Sequence, residues 1–84
     1  MYFSVRNVEP KENYTLVVTF ENGETKLFDM KPYLNTGIFR DLKNVDVFNT
    51  VHVSFNSVAW ANEADFDPEA LYEGGIPVAE KNEI

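Results

Sequence analysis

Along residues 16–29, apolar and polar positions alternate as a pair of strands requires. Leu16-Val17-Val18-Thr19-Phe20-Glu21 and Glu24-Thr25-Lys26-Leu27-Phe28-Asp29 flank Asn22-Gly23. Asn-Gly supplies the two positive φ angles of a type I′ turn, whose twist matches paired strands, so the segment predicts a hairpin with a two-residue loop. That loop sets the register: Glu21 faces Glu24, Phe20 faces Thr25, Val18 faces Leu27 and Leu16 faces Asp29. Leu16, Val18, Phe20 and Leu27 then share the core side. Val17 lies opposite Phe28 on the other side, a second apolar pair that needs a cover.

A second hairpin is expected from Val51-His52-Val53-Ser54-Phe55, a turn at Asn56-Ser57, and Val58-Ala59-Trp60-Ala61. In that register Phe55 faces Val58 and Val53 faces Trp60. Val51, Val53, Phe55, Val58 and Trp60 line one face, with His52, Ser54, Ala59 and Ala61 on the other. An amino-terminal strand over residues 3–8 adds to the sheet before Glu9-Pro10 ends it. Between the hairpins, Asp29 is placed to cap a turn through Lys31-Pro32-Tyr33-Leu34 that closes near Gly37. Ile38, Phe39 and Leu42 have helical spacing, and Asp46 is placed to cap one turn carrying Val47 and Phe48. Asp67-Pro68-Glu69-Ala70-Leu71-Tyr72 has a capping residue followed by Pro at the first helical position, with Gly74-Gly75 as terminator. The pattern predicts an α+β domain over residues 1–75: an antiparallel sheet of about five strands built from two hairpins plus the amino-terminal strand, with short helices between the hairpins and near the carboxyl end. Residues 76–84 lack apolar periodicity and read as an acidic carboxyl-terminal tail.

Composition narrows the function classes. The 84 residues leave room for one core, and seven Phe, four Tyr and one Trp can fill it. The absence of cysteine excludes disulfides, thiolate nucleophiles and cysteine-ligated zinc, and suits a reducing cytoplasmic setting. No basic segment precedes a long apolar run, so neither a signal peptide nor a membrane contact is expected. The formal net charge of −7 opposes direct contact with nucleic acid. Residues 61–84 hold seven acidic groups against Lys81 alone, so the negative potential concentrates at the carboxyl end.

Two clusters have residue types suited to chemistry. Glu63, Asp65, Asp67 and Glu69 alternate through an extended segment and could face a hard cation together. The calcium-loop pattern fails, however: counted from Asp65, Ala70 stands where Gly is needed, Pro68 interrupts, and Ile76 replaces the final Glu. Helix capping by Asp67 and a turn contact by Asp65 account for the cluster better. His52, the single histidine, shares its strand face with Ser54, but a general base needs a nucleophile or carboxylate within hydrogen-bond reach. The glycines form no nucleotide-binding fingerprint, so no cofactor is expected. Trp60 and Tyr72 flank the acidic turn; Trp60 is assigned to the core and Tyr72 to a binding wall.

The order of these landmarks resembles the small bacterial proteins grouped as domain of unknown function family 2442. The likeness runs from Val5 to Tyr72 through the strand at residues 16–20, Asn22-Gly23, Phe28-Asp29, Gly37-Ile38-Phe39, Leu42 and Phe48. It is most specific at Trp60, Asn62, Asp65, Asp67-Pro68 and Leu71-Tyr72. Ala61 and Glu63 depart from the pattern, which commonly has Pro and Gly there. The resemblance implies a compact α+β domain of no established activity. Some members are joined to a helix-turn-helix domain and some are encoded beside another small protein, which implies sensing or partner binding.

The expectation is therefore a non-enzymatic binding module for a protein partner or small ligand, of the kind that forms one half of a paired regulatory or toxin–antitoxin-like system. The alternative is a small metal-assisted or His-dependent enzyme using residues 63–69 or His52. The candidate binding residues are Val17, Phe28, Asn62, Asp65, Asp67 and Tyr72, with no catalytic or metal-ligating residue assigned. Val17 opposite Phe28 further predicts a homodimer through the uncovered side of the first hairpin.

Overall fold

The first third of the chain, whose β-branched and aromatic residues favour extended backbone, folds as a meander. The computed structural model describes residues 4–78. Strand β1 (Val5–Lys11) turns through Glu12, Asn13 and Tyr14 into β2 (Thr15–Phe20), which turns into β3 (Thr25–Asp29). Two 3-10 segments (Lys31–Tyr33 and Gly37–Lys43) and helix α1 (Val45–Phe48) lead to a second hairpin, β4 (His52–Ser54) and β5 (Ser57–Ala59). Strand β6 (Asp65–Phe66), helix α2 (Pro68–Gly74) and β7 (Ile76–Pro77) follow. No helix among the described residues is long and apolar enough to cross a membrane.

The fold is mixed α+β, but the strands form two antiparallel sheets, β1-β2-β3-β7 and β4-β5-β6, in place of one sheet of about five. The separation begins at a bulge between Val5 and Asn7 that bends β1. Ser4 O still accepts from Glu21 N (2.8 Å), whereas Val5 N turns to Asn56 O (3.0 Å), so β1 meets the second hairpin through that bond and not along a ladder. Pairing of β1 runs through Pro10 to Lys11, past the predicted stop at Glu9-Pro10. As the edge of its sheet, β1 tolerates a residue that cannot donate.

The first hairpin is shifted by one residue from the predicted register. Leu16 pairs with Phe28, Val17 with Leu27 and Val18 with Lys26. The cause is the loop. Gly23 has φ +92 but Asn22 does not share a positive φ, and Gly23 N donates to Phe20 O while Phe20 N donates to Glu24 O. This is a three-residue loop closed by a left-handed glycine, not a type I′ turn. Asn22 favours it by accepting from Glu24 N through Oδ1 (2.9 Å). Phe28 therefore points into the core, with 3% of its surface exposed, and Leu27 takes the outer position beside Val17.

In the second hairpin Ser54 pairs with Ser57 and Val53 with Val58, so the turn is Phe55-Asn56 and not Asn56-Ser57. After this two-residue displacement Val51, Val58 and Trp60 remain core residues, but Val53, expected on the same face, is 37% exposed and Phe55 moves to the tip. The capping residue of α1 is Asn44, which accepts from Asp46 N (2.9 Å), not Asp46. Asp29 does accept from Lys31 N (2.9 Å), and Asp67 caps α2 ahead of Pro68 as its sequence predicts. The expected tail boundary is corrected by Ile76 and Pro77, which pair with Leu27 and Lys26. Two residues are too short to display a strand period. The rest of that tail from residue 79 lies outside the described residues.

Aromatic rings link the two sheets. Tyr33 stacks on Phe28 (5.9 Å between centroids), Phe28 meets Phe66 (5.3 Å), Phe66 meets Phe39 (5.6 Å), Phe39 meets Trp60 (6.2 Å), Trp60 meets Phe48 (6.5 Å) and Phe48 meets Tyr14 (5.4 Å). Most of these contacts are edge-on or tilted, the arrangement ring quadrupoles favour.

Candidate functional site

The chain leaves β5 through a second loop of the same design as the first. Trp60 N donates to Ala64 O (2.9 Å), Glu63 N to Trp60 O (2.9 Å), and Ala64 N to Asn62 Oδ1 (3.1 Å). Asn62 corresponds to Asn22, and Glu63, at φ +73, occupies the left-handed position that Gly23 fills in the first loop. An L-residue held there costs about 1–2 kcal/mol, part of which glycine's greater unfolded-state entropy offsets. Glu63→Gly is therefore expected to stabilise the domain by roughly 0.5–1 kcal/mol, read as a raised urea midpoint at constant slope. An unchanged or lowered midpoint would contradict the loop assignment.

Beyond this loop, β6 and the start of α2 run beside the tip of the second hairpin and enclose an open concavity of 430 Å³. Its walls are Ser54, Phe55 and Asn56 from the tip, Val58 from β5, and Asp65, Phe66, Asp67 and Pro68 from the acidic turn. Ser57, buried beneath them, donates its hydroxyl to Phe66 O and ties the two walls together. Asp67 Oδ1 accepts from Glu69 N (3.2 Å), so the carboxylate both caps the helix and borders the concavity. Phe55 is fully exposed at φ +56 while Asn56 has no positive φ, the sign pattern of a type II′ turn, whose first position ordinarily calls for Gly. A large aromatic residue kept fully in solvent and in a left-handed conformation stabilises nothing within the domain. This tip was not foreseen, because the alternation of Val51, Val53 and Phe55 places the ring on an apolar face and no local propensity favours Phe at positive φ.

The other sequence-selected residues divide between separate places. Phe28 belongs to the core, which removes it from the predicted outward pair. Val17 does lie on the outer face, in a row across the four-stranded sheet with Glu9, Leu27 (37% exposed) and Ile76 (67% exposed). Asn62 clamps its loop to the preceding segment, donating from Nδ2 to Asp41 Oδ2 (3.2 Å) and Ile38 O (3.4 Å). Tyr72 is not part of the concavity wall. Its ring meets Phe20 edge-on (5.1 Å), and Lys26 lies over it at 3.5 Å while donating from Nζ to Tyr72 O (2.6 Å). The Tyr72 hydroxyl hydrogen-bonds the Glu24 carboxylate, which holds Glu24 below the usual carboxylate range and raises the phenol, with Asn22 adding a second bond to Glu24 (2.9 Å). His52 is exposed, and its Nδ1 contacts Thr50 O (3.0 Å). Among the described residues, no three His, Asp or Glu side chains converge as a metal site.

Residues 5–77 match the family model described as Protein of unknown function (DUF2442). The chain belongs to the DUF2442 family. No curated protein and no solved structure matches it. Within this DUF2442 domain the matched segment takes in both sheets, the Asn62-Glu63 loop and the walls of the concavity, so the candidate site lies inside the family region.

Proposed function

We propose that this DUF2442 domain is a binding module whose contact surface is the Phe55 concavity, and that its ligand is a protein partner of the kind a paired regulatory or toxin–antitoxin-like system supplies. The observation that carries the reading is Phe55 itself. A fully exposed phenylalanine at positive φ opposes both solubility and local preference, and such conflicts concentrate at sites kept for an external contact. Exposed aromatic residues are also common anchors of interfaces. Binding is favoured over catalysis because the one histidine faces a backbone carbonyl and lies apart from the concavity wall.

The test places a photo-crosslinking phenylalanine analogue at position 55 in the native cell, with the same analogue at Glu12 as control. A discrete partner captured from position 55 and absent from position 12 supports the reading, and no selective product sinks it. Phe55→Gly should separate function from folding. Relief of the left-handed strain is expected to raise stability by about 0.5–1 kcal/mol, or a few degrees in Tm, while the captured partner is lost in co-precipitation. A destabilised variant would show that the ring packs within the domain.

A second reading, self-association, is supported by the outer row of Val17, Leu27 and Ile76, with Val78 (42% exposed) nearby. The expected anchor is now Leu27 and not Phe28. Sedimentation of the wild type and Leu27→Glu decides it: a dimer lost in the variant supports a two-fold pairing of these faces, whereas a wild type monomeric at high concentration excludes it.

A further inference from the structure

We infer that the Phe55 concavity accepts an arginine side chain from a basic segment of the partner protein. This rests on the binding reading above and gives its ligand a chemistry. Charge distribution supplies the argument. Between residues 44 and 78 the chain carries six carboxylates, Asp46, Glu63, Asp65, Asp67, Glu69 and Glu73, and neither Lys nor Arg. The ion pairs among the described residues, Lys11 with Glu9 and Lys31 with Asp29, both belong to the other half of the chain. The second sheet and α2 therefore present negative potential with no cation of their own segment to offset it.

Within that field, Asp65 and Asp67 stand two residues apart in extended backbone and border the same concavity. Phe55 borders the same concavity with its side chain fully exposed and free to receive a ligand, and Ser54 and Asn56 supply neutral polar groups beside it. A planar cation that stacks on a ring while its N–H groups reach carboxylates matches this combination. A guanidinium does both and is more weakly hydrated than an ammonium, so arginine is favoured over lysine. A phosphate or nucleic-acid strand meets repulsion from the same carboxylates, and an apolar segment would desolvate them without compensation.

The test is an amide-resolved NMR titration of the full chain with N-acetyl-arginine-amide, with the citrulline and lysine amides as neutral and ammonium counterparts. Shift changes confined to the amides of residues 54–58 and 65–67 are expected, with a millimolar Kd, weakening with salt and several-fold tighter for arginine than for citrulline. The Asp65→Asn/Asp67→Asn double variant should abolish the response while folding normally, because Asn caps a helix as well as Asp. Citrulline binding as tightly as arginine, an unchanged double variant, or no shift up to about 50 mM, well above a millimolar Kd, overturns the inference. Crosslinking from position 55 captures a partner of any charge. A partner captured without arginine selectivity refutes the arginine assignment alone, whereas the absence of any captured partner refutes the binding reading beneath it.

Discussion

Trp60→Ala is expected to cost about 3–5 kcal/mol, a large share of the roughly 4–12 kcal/mol that a domain of this size holds. Trp60 is 2% exposed and lies against Phe39 and Phe48, so truncation opens a cavity where the second sheet meets the 3-10 segment and α1. The indole Nε1 also donates to Phe48 O (3.0 Å), a carbonyl at the end of α1 that otherwise receives the longer bond from Val51 N (3.3 Å). Trp60→Phe separates the two effects, since it keeps most of the ring volume and loses the donor; its cost should fall near 1–3 kcal/mol. Urea titrations followed by far-UV circular dichroism provide the measurement. A Trp60→Ala protein that retained wild-type stability would show that the ring does not fill the junction.

Gly75→Ala is expected to destabilise by about 1–3 kcal/mol, for a steric and not a conformational reason. Gly75 has φ −79 and ψ 153, which alanine adopts without strain. A β-carbon there, however, would stand 2.8 Å from Lys26 Cβ and 2.9 Å from Leu71 O. Neither a strand β-carbon nor a helix carbonyl can rotate away, so α2 would have to lift from β3. Lifting it would also stretch the contacts of Lys26 with Tyr72. Gly74→Ala is the comparison: its β-carbon meets only a side-chain edge, that of the Phe28 ring at 2.9 Å, with no backbone atom in the way, and alanine gains about 0.8–1 kcal/mol of helix propensity to offset the shift of that ring. Thermal melts should rank Gly75→Ala well below Gly74→Ala, and the reverse order would contradict the close approach of α2 to the sheet.

Sequence was informative wherever the deciding chemistry was local. Asp67-Pro68 sets the start of α2 because cap and fixed φ act within one turn, and Asn22-Gly23 marks a reversal because Gly23 must be left-handed. Register was not local. Leu27 and Phe28 are both apolar, so alternation alone could not choose which faces inward, and the choice turned on whether Asn22 joined Gly23 at positive φ or left it alone there. The inward side then had to accept Lys26, whose amine escapes along Tyr72 to the end of α2. The loop at Asn62-Glu63 repeats the first loop, but Glu in the glycine position hid the repetition. At the site, Asp65 and Asp67 were legible as an acidic turn. Phe55, which borders the same concavity, was not, because its conformation runs against its own preference.

The placement of β7 affects how the molecule assembles. Pairing within β1-β2-β3 and within β4-β5-β6 joins strands adjacent in the chain, so most of both sheets can form by closing short loops, which costs little entropy and favours rapid folding. The Leu27–Ile76 pair instead closes 49 residues, from position 27 to position 76, and does so with a strand of only two residues. That step waits for the rest of the chain and gains few bonds when it comes. The seam between β3 and β7 is thus the last part of the first sheet to zip and the first to open, giving the domain a weak latch at the edge of its larger sheet.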